Sequence, residues 1–201
     1  LYMKFIQKAC GGDRTVGLFT ARLRCMHRWL RKTIGAKWLA DRVPAHWYGV
    51  KGRSASQAAW TRMVLGRYAG KIGREAVAML YDVTKAFDNL RWSVLLQSAV
   101  KLGFPLDLFR LLMSVYRATR HIVIGRGIVA SSIPTLSIVA GEAFADIMMF
   151  LAIMVVHGIV EQSEIPMHVA VVADDYQVMI IDKASTIAAS AKKLHLVIEG
   201  A

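Results

Sequence analysis

Apolar residues recur along the chain with two different periods, and the places where the period changes outline the elements. Over residues 20–39, Leu23, Met26, Leu30 and Ile34 fall three or four positions apart, while Arg22, Arg24, Arg28, Arg31 and Lys32 fill the positions between. That spacing predicts an amphipathic helix, ended by Pro44. Tyr48, Gly49, Gly52 and Ser54 predict a loop, and residues 55–68 a second helix. Gly70 and Gly73 then break the chain before an apolar run over 77–83, which predicts a strand that delivers Asp82 at its end. Residues 90–102 and 106–118, separated by Gly103 and Pro105, read as two helices, and the β-branched stretch 121–124 as a strand. Two apolar runs, 168–173 and 176–181, are joined only by Asp174 and Asp175, which predicts a hairpin with carboxylates at its tip. Residues 184–196 read as a closing amphipathic helix. At the other end, residues 4–19 predict a hairpin turning at Gly11, Gly12 and Asp13.

The most apolar region, 127–160, is interrupted by Glu142 and Asp146. The uncharged pieces on either side are shorter than the ~18–20 residues that a membrane-spanning helix needs, so no membrane is expected and the region is read as buried core. Within it, residues 142–157 predict a helix, punctuated by Gly141 and Gly158.

Composition adds a class. With 201 residues, 55% of them hydrophobic, the chain is long and apolar enough to build a core, and disorder is excluded. Two cysteines and no signal-peptide pattern point to a reducing compartment, nuclear or cytoplasmic, and not to secretion. Charge divides the chain. Residues 1–74 hold 16 of the 26 Lys and Arg, with only Asp13 and Asp41 as acids, whereas the rest holds 10 bases and 12 acids. A basic part beside a near-neutral part with clustered carboxylates suits a polyanion gripped by the first and presented to the second; a solvated basic face or attraction to anionic lipid gives the same charge count.

The chemistry is concentrated in Asp82, Asp174 and Asp175. If the strand and the hairpin are neighbours in one sheet, the carboxylates converge on a site able to hold two Mg²⁺ ions ~3.5–4 Å apart, the clamp used for phosphoryl transfer, with Mn²⁺ as a substitute. The alternative is ordinary turn chemistry, since Asp is at home in turns. Adjacent acids between apolar strands repel each other and lose solvation, which favours a compensating cation.

These residues resemble a known family. Tyr81-Asp82-Val83-Thr84-Lys85-Ala86-Phe87-Asp88 is similar to the first catalytic motif of reverse transcriptases, particularly those of non-LTR retroelements, and Val172-Ala173-Asp174-Asp175 to their Tyr-Ala-Asp-Asp box. Val139-Ala140-Gly141-Glu142 resembles the Gln-Gly motif that opens a palm helix. Upstream, the Gly11–Leu18 stretch is similar to the fingertip hairpin and Tyr48–Ser54 to the next fingers segment. The resemblance implies an α+β right-hand palm, an antiparallel sheet packed on helices, with a helical fingers subdomain and no thumb. Its boundaries would be fingers over 1–74, palm over 75–91, insertion helices and strand over 92–137, and palm again over 138–201.

It further implies an RNA-directed DNA polymerase that uses an RNA template, a DNA primer and dNTPs, as part of a longer polyprotein. Asp82, Asp174, Asp175 and the carbonyl of Val83 would be metal ligands. Phe87 would lie beneath the incoming sugar, though it could equally be a core aromatic. Arg14 and Lys8 would grip the triphosphate or be plain surface charges, and Gly141 would let the backbone approach the nascent base pair or simply precede a helix. Asp88 is expected to cap the following helix. Trp29, Trp38, Trp47 and Trp60 could stack bases, although core packing suits most of them. The six His receive no role. Ala140 stands at the motif Gln, Glu142 at the usual Cys or Ser, Ala145 at a Ser and Val172 at the box Tyr. These departures keep open a second reading, a catalytically degenerate nucleic-acid-binding remnant.

Overall fold

A computed structural model describes residues 1–7, 13–82, 85–125, 127–172 and 175–200. The chain forms two compact units, each built from two separated stretches: Leu1–Arg42 with Lys85–Ala152, and Val43–Thr84 with Ile153–Ala201.

In the first unit, β1 (Tyr2–Gln7) pairs antiparallel with β2 (Asp13–Leu18), the two arms of the expected hairpin; its tip at Gly11 and Gly12 lies outside the described residues. β1 also pairs parallel with β4 (Arg120–Ile124), which is antiparallel to β5 (Gly127–Ser132), giving the order β2-β1-β4-β5. The first helix starts at Thr20, whose hydroxyl accepts the Leu23 N–H, and runs as α1 (Ala21–Leu30) through one wide π-helical turn, Arg31–Gly35, into α2 (Ala36–Ala40). The turn is wide beside Gly35, where a methyl group would come within 2.9 Å of the Phe144 ring and 3.0 Å of Ile147. Next come α4 (Ala86–Asn89), α5 (Trp92–Lys101) and α6 (Leu106–Tyr116). They pack with the start of α7 (Ala145–Glu161), which is apolar over most of its surface, as a largely buried helix must be, with Asp146 in its first turn exposed and paired with Arg31. Leu95, Leu112, Tyr116, Phe144, Ile147 and Met148 are fully buried here. Trp38 meets Phe104 and Phe150 edge-on, and its indole N–H donates to the Gly103 carbonyl at 3.0 Å.

The second unit holds an antiparallel sheet in the order β3-β7-β6, from β3 (Glu75–Asp82), β6 (Met167–Val172) and β7 (Asp175–Asp182). Its helices are α3 (Ala55–Lys71), α8 (Ile187–Glu199) and the end of α7. Ser54 and Gln57 form a capping box that fixes the start of α3. Side chains alternate along β7, so Tyr176, Val178 and Ile180 share one face, and Asp175, Gln177 and Met179 the other. α3 lies against the second face, where Arg62 donates to Gln177 at 3.2 Å and Gly66 passes close to Met179. The segment around Trp47 extends the sheet, with Tyr48 N–H on the Val171 carbonyl and Val171 N–H on the His46 carbonyl.

Two expectations change. Residues 127–132 were expected in the core, but β5 is exposed along its whole length: it is an outer strand that pairs with β4 and has no other described element packed on its faces. The helix expected from residue 142 begins at Ala145, because the Glu142 carboxylate turns back to accept the Phe144 N–H at 2.6 Å. Among the described residues, no helix is long and apolar enough to cross a membrane.

Candidate functional site

β3 ends on Asp82 and β7 begins on Asp175, and the antiparallel register makes these two residues direct partners. On its other side Asp175 is paired with Val172 at the end of β6. Directly opposed residues on antiparallel strands have Cβ atoms about 4.5–5.5 Å apart, so two carboxylates there repel unless a cation lies between them. Both residues are exposed, which keeps this end of the sheet open to a charged ligand. Asp174 and Val83 lie outside the described residues. Among the described residues no group of three or more His, Cys, Asp or Glu has metal-holding geometry, and only two of the three expected carboxylates belong to that set. The donors that are described are carboxylate oxygens only, the chemistry that suits hard Mg²⁺.

The other expected residues fall in the first unit. Phe87 is half-buried on α4, and its carbonyl accepts the Ile138 N–H at 2.8 Å. Gly141 follows three residues later in a turn at φ +87°, a backbone conformation that favours glycine, and the Ala140 carbonyl beside it accepts from Gly17 on β2 at 3.4 Å. Segment 137–141 is thus tied to Phe87 on one side and to the strand that carries Arg14 on the other. Lys8 lies outside the described residues. Asp88 is not a cap for the helix that follows: the residue before α5 is Arg91, without a side-chain cap. Burial draws the Arg120 guanidinium below its ordinary pKa, and the negative charge of Asp88 opposes that shift.

Two constellations escape a reading of the sequence. The first is centred on Glu142, whose side chain is 1% exposed. It takes His27 Nδ1 at 2.5 Å on one oxygen, and the Tyr116 hydroxyl at 2.9 Å with the Phe144 N–H on the other. Burial, reinforced by the Glu142 charge, pushes the Tyr116 pKa well above the usual phenol. The available signal was the acid itself, since a carboxylate within the most apolar stretch must find donors. The second is a trio of histidines in the second unit. His46 and His157 have ring centroids 4.0 Å apart and line a cleft of about 600 Å³ with His168. His157 also meets the Tyr176 hydroxyl at 3.1 Å and Glu161 at 3.1 Å. Burial, then the neighbouring His157, His168 and Arg53 charges, push His46 down to about 4. No spacing in the sequence announces this cluster, whose members come from a loop, a helix and a strand. The tryptophans divide: Trp38 and Trp47 are core, whereas Trp29 and Trp60 are each 63% exposed.

No family model matches the chain, and no curated protein matches it. Solved structures do. Telomerase from Candida albicans, in complex with a TWJ fragment of telomeric RNA, aligns over 99% of this chain with a TM-score of 0.64 at 11% identity. Apo telomerase from Candida tropicalis, truncated from its C-terminal domain, aligns over 98% with a TM-score of 0.59 at 13% identity. The chain spans 39% and 46% of those two chains. The likeness shows the architecture: an α+β, palm-type polymerase fold like that of the two telomerases.

Proposed function

We propose that this chain is the fingers and palm of an RNA-directed DNA polymerase of the non-LTR retroelement type, acting inside the cell as part of a longer polyprotein. The observation that carries the reading is the direct opposition of Asp82 and Asp175 at one open end of the sheet, within a polymerase-type fold. Asp82, Asp174, Asp175 and the Val83 carbonyl would hold Mg²⁺, or Mn²⁺ in its place. Bound there, the metal supplies Lewis acidity for attack of a primer 3′-hydroxyl on the α-phosphate of a dNTP and for departure of pyrophosphate. Phe87 lies beneath the sugar and excludes a 2′-hydroxyl, Arg14 and Lys8 hold the triphosphate, and Gly141 gives the base pair room against the backbone. The excess of Lys and Arg in residues 1–74 retains the RNA template and DNA primer through their phosphates.

Primer extension on an RNA template, with Asp82→Asn and Asp174→Asn beside the parent, tests this. Loss of extension in both variants is expected; Asp82 is exposed, so its change leaves stability within about 0.5 kcal/mol. Extension that persists in Asp174→Asn overturns the proposal. The second reading, a degenerate nucleic-acid-binding remnant, is favoured by Glu142, which locks the turn after Gly141 into the protein interior. Under that reading the parent binds nucleic acid with a steep salt dependence and incorporates nothing in Mg²⁺ or Mn²⁺.

A further inference from the structure

Helices α5 and α6 form a hairpin through residues 102–105, and along their outer side run two abutting hollows of about 530 and 350 Å³. The hollows share Leu96, Phe109, Met113 and Arg117, so they are one groove. Its floor is the buried Phe109 and Met113, and its walls are Leu96, Leu106 and Leu136, which are 46%, 40% and 38% exposed. Those leucines are apolar surface that the described residues leave open on both sides of one trough. Ile133, three residues before Leu136, is 76% exposed.

The rim is basic. Arg91, Arg110 and Arg117 stand around the groove, and the Arg117 guanidinium is held 5.4 Å over the Trp92 ring, itself anchored by its N–H on the Ser137 carbonyl. Among the described residues the carboxylate paired with this rim is Asp107, in a solvent-exposed pair with Arg110 whose attraction is largely screened. Among the described residues, neither Arg91 nor Arg117 forms an ion pair.

We propose that this groove is a docking site for an amphipathic helix whose apolar stripe is flanked by Asp and Glu. A helix laid between two helices settles its ridge into the groove they leave, and apolar residues at i, i+3 or i+4, and i+7 match a trough two hollows long. Acidic flanks meet Arg91 on the α5 side and Arg110 and Arg117 on the α6 side. Nucleic acid is the other polyanion that such a rim attracts, but its phosphates would leave the leucine walls and the Phe109 floor uncovered, and the aromatic ring nearest the rim, Trp92, is capped by Arg117.

The test uses the full chain and fluorescently labelled 14-residue peptides with leucines in that stripe: one flanked by Glu, one flanked by Lys, and one with the Glu-flanked composition scrambled. Fluorescence polarisation is expected to show saturable binding of the Glu-flanked peptide alone, weakened at least tenfold by Leu96→Asp. Because Leu96→Asp could act through folding, Arg91→Glu/Arg117→Glu provides a second arm, in which preference switches to the Lys-flanked peptide while the circular dichroism melt is retained. Equal binding of the scrambled peptide, absence of saturable binding, or failure of the charge reversal to switch preference overturns the proposal. So does displacement by an oligo(dT) strand whose own binding ignores Leu96→Asp, since the site then belongs to nucleic acid. A dimer in sedimentation that Leu96→Asp dissolves overturns it in favour of a second copy of the chain.

Discussion

Replacing Glu142 by Ala removes one acceptor group and strands three buried donors. His27 and Tyr116 are 2% and 0% exposed, so water cannot take over for the lost carboxylate, and the Phe144 N–H sits at the start of a buried helix. A carboxylate only accepts, so His27 must present Nδ1–H to it, which leaves Nε2 with no partner among the described residues. Each buried donor left unpaired costs about 1–3 kcal/mol. Three such donors share the one carboxylate, and local movement relieves part of the cost, so we expect a loss of about 3–5 kcal/mol. With a urea slope of about 2 kcal/mol per M, the unfolding midpoint drops by about 1.5–2.5 M. The double variant His27→Leu/Glu142→Met exchanges the pair for apolar groups of similar size, so it should lose at least 1 kcal/mol less than the two single variants together. Urea titrations followed by tryptophan fluorescence and by far-ultraviolet circular dichroism measure both quantities. A midpoint change under about 0.5 M for Glu142→Ala, or strictly additive singles, would refute the idea of a coupled buried knot.

Acid should weaken the second unit through His46. Its pKa is about 4 in the folded chain against 6.5 for the free side chain, so the unfolded chain binds the proton more readily between these values. Stability is therefore full above about pH 6.5 and declines as pH falls towards 4. The ceiling is about 3 kcal/mol, reduced to about 1–2 kcal/mol because the ring is only half-buried. His46→Gln should flatten the urea midpoint between pH 7 and pH 4.5, and an unchanged slope counts against the assignment. Gly17→Ala would drive a methyl into the Val139 side chain, which is fully buried, at a cost of about 1–3 kcal/mol. Adding Val139→Ala should return part of that loss in a thermal melt, and no return would mean that the strand had shifted instead.

The acidic pair was legible because its signals are local. An apolar run that ends in Asp82 and two runs joined by Asp174 and Asp175 specify a strand and a hairpin within a few residues, but Asp175, expected in the turn, is already the first residue of β7 and pairs with Val172; the register that opposes it to Asp82 follows from pairing along the full length of β3 and β7. The hairpin at the start and the helices at 92–101 and 106–116 were legible for the same reason. What periodicity does not encode is which side of an element is covered. Ile128 and Val129 have the composition of core yet are 55% and 57% exposed, because nothing in strand composition distinguishes an edge from a centre. Partnerships across long separations were equally silent: His27 and Glu142 are 115 positions apart, and only the cost of burying a lone carboxylate hinted that a donor had to exist.

The wide turn at Arg31–Gly35 has a consequence further along its own helix. One additional residue in a turn advances everything after it by about 100° around the axis, so the stretch acts as a phase shifter between α1 and α2. Upstream of it Trp29 points to solvent; downstream Trp38 and Leu39 are turned inward, with the indole on the Gly103 carbonyl. Deleting a single residue within that stretch would therefore be felt several positions beyond the cut, where the Trp38 ring would swing away from Phe104 and Phe150 and leave the helix in the right place with the wrong side inward.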